Sequence, residues 1–153
     1  LNIIKGNTDS EYCFSIFLNF LRNSYSEEMN SKNITLSTNI LKDALSKTIL
    51  KINEITNSKN SSMNFFCTDG NSIIASRYLN SNLEDPPSLY YSFGSEFKYN
   101  SNKKSFIKDA LCNKDCVIIS SEPIHEKEDD WFLIEKNIII SVDENNNIIH
   151  DKI

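Results

Sequence analysis

The chain has 153 residues, of which 39% are hydrophobic, and its formal net charge is −5. This length suits one domain with a core of its own, and we expect a single domain over residues 1–153. The sequence has no apolar run of about 18 residues, so we predict no membrane span. Only two of its basic residues are arginines, and no basic stripe is present, which argues against nucleic acid as a partner. Because the first residue is Leu, we expect a piece of a longer protein.

The beginning of the chain predicts a capped helix that follows a strand-like stretch, 1–4. Thr8 and Glu11 have the spacing of a capping box, in which each side chain satisfies a backbone N–H group. Asp9 then falls in the first helical turn, where the helix dipole favours a negative charge. The local pattern leaves two interpretations open. Asp9 either only complements the dipole, or it points into a site and binds an ammonium group.

Two helices are followed by a series of strands. Apolar periodicity predicts the helices over 9–25 and 35–55, and we expect the wide apolar face of the first to lie against a sheet. The second has an apolar stripe made of Ile40, Leu41, Ala44, Leu45, Thr48 or Ile49, and Ile52. Strands are predicted over 63–68, 72–77, 89–93, 116–121, 131–134, 137–142 and 147–153, with turns at 69–71 and 143–146. In the polar stretch 95–115, a short helix over 106–111 is one option. The order predicts an α+β fold with a mostly antiparallel sheet.

The cysteines point neither to a metal site nor to a catalytic thiol. They stand at positions 13, 67, 112 and 116, without the close pairs that zinc sites usually have. None lies beside a Gly-rich turn or a histidine at a useful spacing. We interpret them as free thiols of a cytoplasmic protein, and we predict no metal and no cofactor.

Three stretches, taken in order, resemble one family of enzymes. They are 6–18, which begins Gly-Asn-Thr-Asp-Ser-Glu, then 65–91 with Phe65-Phe66-Cys67-Thr68-Asp69-Gly70, and then 117–137 with Ser120-Ser121-Glu122-Pro123. Together they resemble the C-terminal portion of a class-II glutamine amidotransferase domain, an N-terminal-nucleophile hydrolase. The similarity is to the branch acting on γ-glutamyl compounds. That branch includes the fungal glutathione-degradation amidotransferase subunit and the ergothioneine-pathway amidohydrolase.

The resemblance implies part of a four-layer α-β-β-α sandwich. It also implies a nucleophilic N-terminal cysteine upstream of this chain, so no catalytic residue is expected within residues 1–153, and the fragment alone should be inactive. By its place in the motif, Asp9 would bind the α-ammonium group of the substrate.

Three further residues are weaker candidates for the pocket. Arg77 could line the pocket mouth, or it could be a solvated or ion-paired residue at a strand end. Ser121 and Glu122 could lie near the site, or they could simply terminate a strand before Pro123, with hydroxyl groups bonded to the backbone.

The resemblance thus predicts hydrolysis of a γ-glutamyl amide, such as glutamine or a γ-glutamyl peptide, with a role in glutathione degradation as one option. The expected partner is this small-molecule substrate, and a partner subunit or a homo-oligomer is left open. The alternatives are a non-catalytic amidotransferase-like scaffold, or partner subunit of a peptidase, and a plain α+β interaction domain.

Overall fold

The computed structural model describes residues 4–28, 37–57, 60–82, 84–99, 105–124 and 128–153. The chain divides into two compact units, Leu1–Ser61 and Ser62–Ile153. The first unit is helical and the second consists of strands, so the predicted α+β class is confirmed. The strand-like stretch predicted at 1–4 and the predicted helix start at 35 lie largely outside the described residues.

The first unit contains two helices that pack against each other, α1 (Asp9–Glu28) and α2 (Thr38–Ile55). Ser37 caps α2, because its hydroxyl accepts the N–H of Ile40 at 3.4 Å. The stripe predicted on α2 is buried from Ile40 to Ile49, whereas Ile52 is only half-buried. On the predicted apolar face of α1, Phe17 is buried, but Phe14 remains 50% exposed.

The larger sheet of the second unit is built around two strands that are buried almost throughout. Its described strands follow the order β1–β3–β9–β10, with β2 also paired to β3, and every pair is antiparallel. The bounds are β1 Ser62–Met63, β2 Phe66–Thr68, β3 Ile73–Leu79, β9 Ile138–Val142 and β10 Ile148–Lys152. The predicted strand 63–68 is therefore two short strands, and the predicted turns at 69–71 and 143–146 are confirmed.

A three-stranded antiparallel sheet and a hairpin complete the described part of this unit. The sheet has the order β7–β4–β8, and the hairpin joins β5 to β6. The bounds are β4 Tyr90–Gly94, β5 Glu96–Tyr99, β6 Ser105–Lys108, β7 Cys116–Ser120 and β8 Phe132–Leu133.

The option of a helix over 106–111 is wrong. Residues 105–108 form β6, and a turn follows them. Asp109 and Leu111 have φ angles of 48° and 62°, which belong to the left-handed region and are incompatible with a right-handed α-helix.

The core of the second unit lies between its two sheets. Ala75, Ile138 and Ile140 of the larger sheet share one buried cluster with Leu89 and Ile134, which flank strands of the smaller sheet. Tyr91 of β4 packs against this cluster and meets the ring of His150 on β10 edge-on, with centroids 5.2 Å apart. The two sheets therefore face each other across a shared apolar layer, as in a β-sandwich.

Candidate functional site

The start of α1 is fixed by hydrogen bonds from both residues of the predicted capping box. Thr8 Oγ1 accepts the N–H of Glu11 at 3.3 Å. The Glu11 carboxylate in turn accepts the N–H groups of Lys5 and Gly6, upstream of the cap itself. A Cβ atom at Gly6 would lie 2.7 Å from Glu11 Oε2, so glycine permits this close approach. Both carboxylate oxygens of Glu11 are therefore hydrogen-bonded to backbone N–H groups.

Asp9 has a different environment from Glu11. It is exposed, and its Oδ1 accepts the N–H of the next residue, Ser10, at 2.8 Å. This bond leaves acceptor lone pairs on both carboxylate oxygens. Asp9 therefore offers a negative charge to solvent from the first turn of α1, where the helix dipole favours it.

The thiols of Cys13 and Cys67 are not activated as nucleophiles. Burial raises the pKa of Cys13, and the nearby charge of Asp9 raises it further. Burial likewise raises the pKa of Cys67, with a smaller contribution from Asp69. Since the thiolate is the nucleophile, a raised pKa lowers the reactivity of both groups at neutral pH. All four cysteines carry free thiols.

Arg77 is buried in the second unit rather than solvated. Its side chain is 6% exposed. The guanidinium donates to three carbonyl groups, from Nε to Pro87 at 3.1 Å, from Nη2 to Pro86 at 3.1 Å and from Nη1 to Ile134 at 2.9 Å. It is the fifth of the seven residues of β3 rather than its end. A role for Arg77 at the pocket mouth stays a prediction.

Ser121 and Glu122 form an exposed turn immediately after β7, which ends at Ser120. The Ser121 carbonyl accepts the hydroxyl of Ser88 at 2.8 Å. These two residues and Arg77 belong to the second unit, whereas Asp9 belongs to the first.

Sequence reasoning missed two residues that bind carbonyls of the same segment as Arg77. Asn64 Nδ2 donates to the carbonyls of Pro87 and Ser88 at 3.0 and 3.3 Å, and Lys136 Nζ donates to those of Ser81 and Glu84. No local signal marked Asn64 or Lys136, because the backbone carbonyls that they bind lie 23 or more residues away along the chain.

Among the described residues, no group of three or more His, Cys, Asp or Glu residues could hold a metal ion. In the same part of the chain, no helix has the length and apolar character needed to cross a membrane.

Comparison with known proteins gives one informative match. A protein of Saccharomyces cerevisiae described as probable glutamine amidotransferase DUG3 is 29% identical over 158 residues, which include 98% of this chain. This chain is similar to a probable glutamine amidotransferase. It spans 44% of the length of that relative, which is less than half. No protein-family model matches the chain, and no solved structure matches it.

Proposed function

We propose that this chain is part of a glutamine amidotransferase-like hydrolase that cleaves a γ-glutamyl amide. The observation that carries the proposal is the similarity to a probable glutamine amidotransferase over 98% of the chain. The α+β architecture, with two facing antiparallel sheets, is compatible with one amidotransferase-like domain of the four-layer type. Glutamine and γ-glutamyl peptides, including those of glutathione degradation, are the proposed substrates.

In this proposal the nucleophile is an N-terminal cysteine in a part of the protein outside this chain. Its thiolate attacks the γ-carbonyl carbon, the amine or ammonia leaves, and water hydrolyses the resulting thioester to release glutamate. The raised pKa values of Cys13 and Cys67 support a nucleophile other than these two thiols.

Asp9 is the proposed binding residue for the substrate α-ammonium group. The exposed carboxylate is held at a capped helix start, so little ordering is needed when a cation binds. An ion pair at about 4 Å is worth about 4 kcal/mol at an effective dielectric constant of about 20, before the cost of desolvation. Asp9 therefore orients the glutamyl group, while bond cleavage belongs to the nucleophile.

The experiment that tests this role is Asp9→Asn in the intact protein, with glutamine and a γ-glutamyl peptide as substrates. Asparagine keeps the shape and the hydrogen bond to Ser10 but removes the charge. We expect KM to rise roughly tenfold or more. A tenfold change corresponds to about 1.4 kcal/mol, which is less than half of the ion-pair energy of about 4 kcal/mol. The melting temperature should change little.

Asp43→Asn is the matched control, because Asp43 is also an exposed helical carboxylate and pairs with Lys47 one turn away. This variant should keep the KM of the wild type. Equal KM values for Asp9→Asn and wild type would overturn the assignment of Asp9. A folded intact protein that releases no glutamate would instead favour the non-catalytic scaffold.

A further inference from the structure

The segment 81–88, which leads into β4, is held through its carbonyl groups by three side chains from elsewhere in the same unit. Arg77 binds the carbonyls of Pro86 and Pro87, and Asn64 binds those of Pro87 and Ser88. Lys136 binds the carbonyls of Ser81 and Glu84. Five carbonyls of a short segment therefore point at side-chain donors.

Arginine suits the central position of this network for a chemical reason. The carbonyls of Pro86 and Pro87 need hydrogen-bond donors, and an arginine side chain carries five N–H donors and no acceptor. The planar guanidinium reaches them from two of its nitrogens and still reaches the Ile134 carbonyl from the third. A lysine ammonium is a compact point charge and cannot reproduce that fork.

The segment 81–88 is connected to the turn after β7 by a hydrogen bond. Tyr90 of β4 is paired with Ser120 of β7, so Ser88 and Ser121 both lie just beyond the end of this ladder. There the Ser88 hydroxyl donates to the Ser121 carbonyl at 2.8 Å. Arg77 thus reaches the Ser121–Glu122 turn through Pro86, Pro87 and Ser88.

We propose that Arg77 is a positioning residue, which fixes the Ser121–Glu122 turn through the carbonyls of Pro86 and Pro87 and the hydroxyl of Ser88 and does not itself contact the substrate. Its guanidinium is buried, and three of its five N–H groups are directed at protein carbonyls. The functional consequence, placement of this turn for substrate binding, rests on the proposed amidohydrolase function.

The first arm of the test is a carbonyl chemical shift, which needs no activity. The intact protein is labelled with ¹³C at serine carbonyls and ¹⁵N at glutamate, so that only Ser-Glu peptide bonds give a coupled signal. This chain has four such bonds, and three serve as internal references, at Ser10-Glu11, Ser26-Glu27 and Ser95-Glu96.

We expect Ser88→Ala to move the Ser121 carbonyl signal upfield, because the carbonyl loses its donor, and Arg77→Lys to move it in the same direction. Ser105→Ala is the matched control, since the Ser105 hydroxyl donates to the carbonyl of Ile124, which lies three residues beyond Ser121. It should leave the Ser121 signal in place. A Ser121 signal that responds to Ser88→Ala but not to Arg77→Lys would overturn the positioning role.

The second arm is a double-mutant cycle in KM for a γ-glutamyl substrate. Arg77→Lys and Ser88→Ala should each raise KM about fivefold, the factor that one neutral hydrogen bond corresponds to, with little change in kcat. The double variant should be no worse than Arg77→Lys alone, because both changes release the same turn. The separate effects of Arg77→Lys and Ser105→Ala on KM should multiply in the variant that carries both changes.

The outcomes separate the proposal from the proposed function. If Arg77 contacts the substrate directly, its effect multiplies with that of Ser88→Ala, which overturns the positioning role. Coupled carbonyl shifts without any change in KM would overturn the link between the turn and the pocket. If the intact protein hydrolyses no γ-glutamyl amide, the proposed function fails, and the carbonyl shifts alone decide whether Arg77 positions the turn.

Discussion

Two buried serines on neighbouring strands have opposite hydrogen-bonding situations. Ser76 of β3 is fully buried, and its hydroxyl donates to the Met63 carbonyl at 2.9 Å and accepts the N–H of Phe65 at 3.2 Å. Ser141 of β9 is on the same face of the sheet, because it pairs with Ile74, but its buried hydroxyl has no hydrogen-bond partner among the described residues. The first hydroxyl bridges the gap between β1 and β2, and the second bridges nothing.

Ser76→Ala should therefore lower the free energy of unfolding by about 2 kcal/mol, since it leaves buried backbone groups without partners. Ser141→Ala is the control, and it should be neutral or slightly stabilising because it removes an unsatisfied polar atom. Urea denaturation of both variants measures the difference. Equal losses would show that the hydroxyl of Ser76 contributes no more than its volume.

Individual residues of the candidate site differ in how far their environment could be predicted from the sequence. The cap at Thr8 was predictable because its partner, Glu11, is three residues away. The environment of Arg77 was not, since its partner carbonyls lie 9, 10 and 57 residues away. Backbone carbonyls have no side-chain identity, so nothing in the sequence marks which ones an arginine will bind.

At the scale of elements, two glycines enable hairpins for different physical reasons. Gly70, between β2 and β3, has a φ of 95° and open space around its Cα. Gly94, at the end of β4, lies against the β5–β6 hairpin, and a Cβ atom there would be 2.3 Å from Ile107 Cγ2 and 2.6 Å from the Lys108 carbonyl oxygen. Backbone conformation limits the first position, and available volume limits the second.

Alanine and asparagine should therefore rank in opposite orders at the two sites. At Gly70, alanine should cost more than about 1 kcal/mol, and asparagine should cost less because it tolerates positive φ better. At Gly94, alanine should cost about 1–3 kcal/mol through overpacking, and asparagine should cost more because it is larger. Thermal unfolding of the four variants tests this, and the same rank order at both sites would contradict it.

The turn between β9 and β10 should make stability depend on pH in the acidic range. The side-chain amide of Asn147 lowers the pKa of Asp143 below its usual value of 3.8, and the backbone N–H groups of Asn147 and Asn145 lower it further. A depressed pKa in the folded state stabilises the protein above the unfolded pKa, and this stabilisation is lost as pH falls through the folded value. Asn147→Ala should raise the pKa of Asp143.

Carboxyl ¹³C titration of Asp143 measures this change directly. The difference in stability between Asn147→Ala and wild type should be present at neutral pH and should shrink as Asp143 becomes protonated in both proteins. A difference that stays constant down to the acidic limit would mean that Asn147 acts through turn conformation rather than through the carboxylate.

The elements themselves were predictable in proportion to their apolar pattern. Strands such as β9, with all five residues buried and Ser141 as its one polar residue, form nearly continuous apolar runs in the sequence. The hairpin of β5 and β6 was missed because its strands are short and polar and bury only Ile107. Asp109 and Leu111, which follow β6, have positive φ without being glycine, so the usual signal for a turn after this strand is absent.

At the scale of the whole molecule, similarity to a probable glutamine amidotransferase covers nearly all of the chain, whereas the chain covers less than half of that relative. In the proposed function, Asp9 of this chain recognises the substrate, and the nucleophile belongs to a part of the protein outside residues 1–153. The similarity to a glutamine amidotransferase was predictable only from three motifs taken in order, because no single one of them is specific.

The most direct test of this account compares glutamine with 4-carbamoylbutanoate, the same amide without the α-amino group, as substrates of the intact protein. The ratio of their kcat/KM values measures recognition of the ammonium group alone. We expect the wild type to prefer glutamine by roughly tenfold or more, and Asp9→Asn to lose most of that preference, because an ion pair contributes only when both charges are present. The same preference in both proteins would show that Asp9 only complements the dipole of its helix.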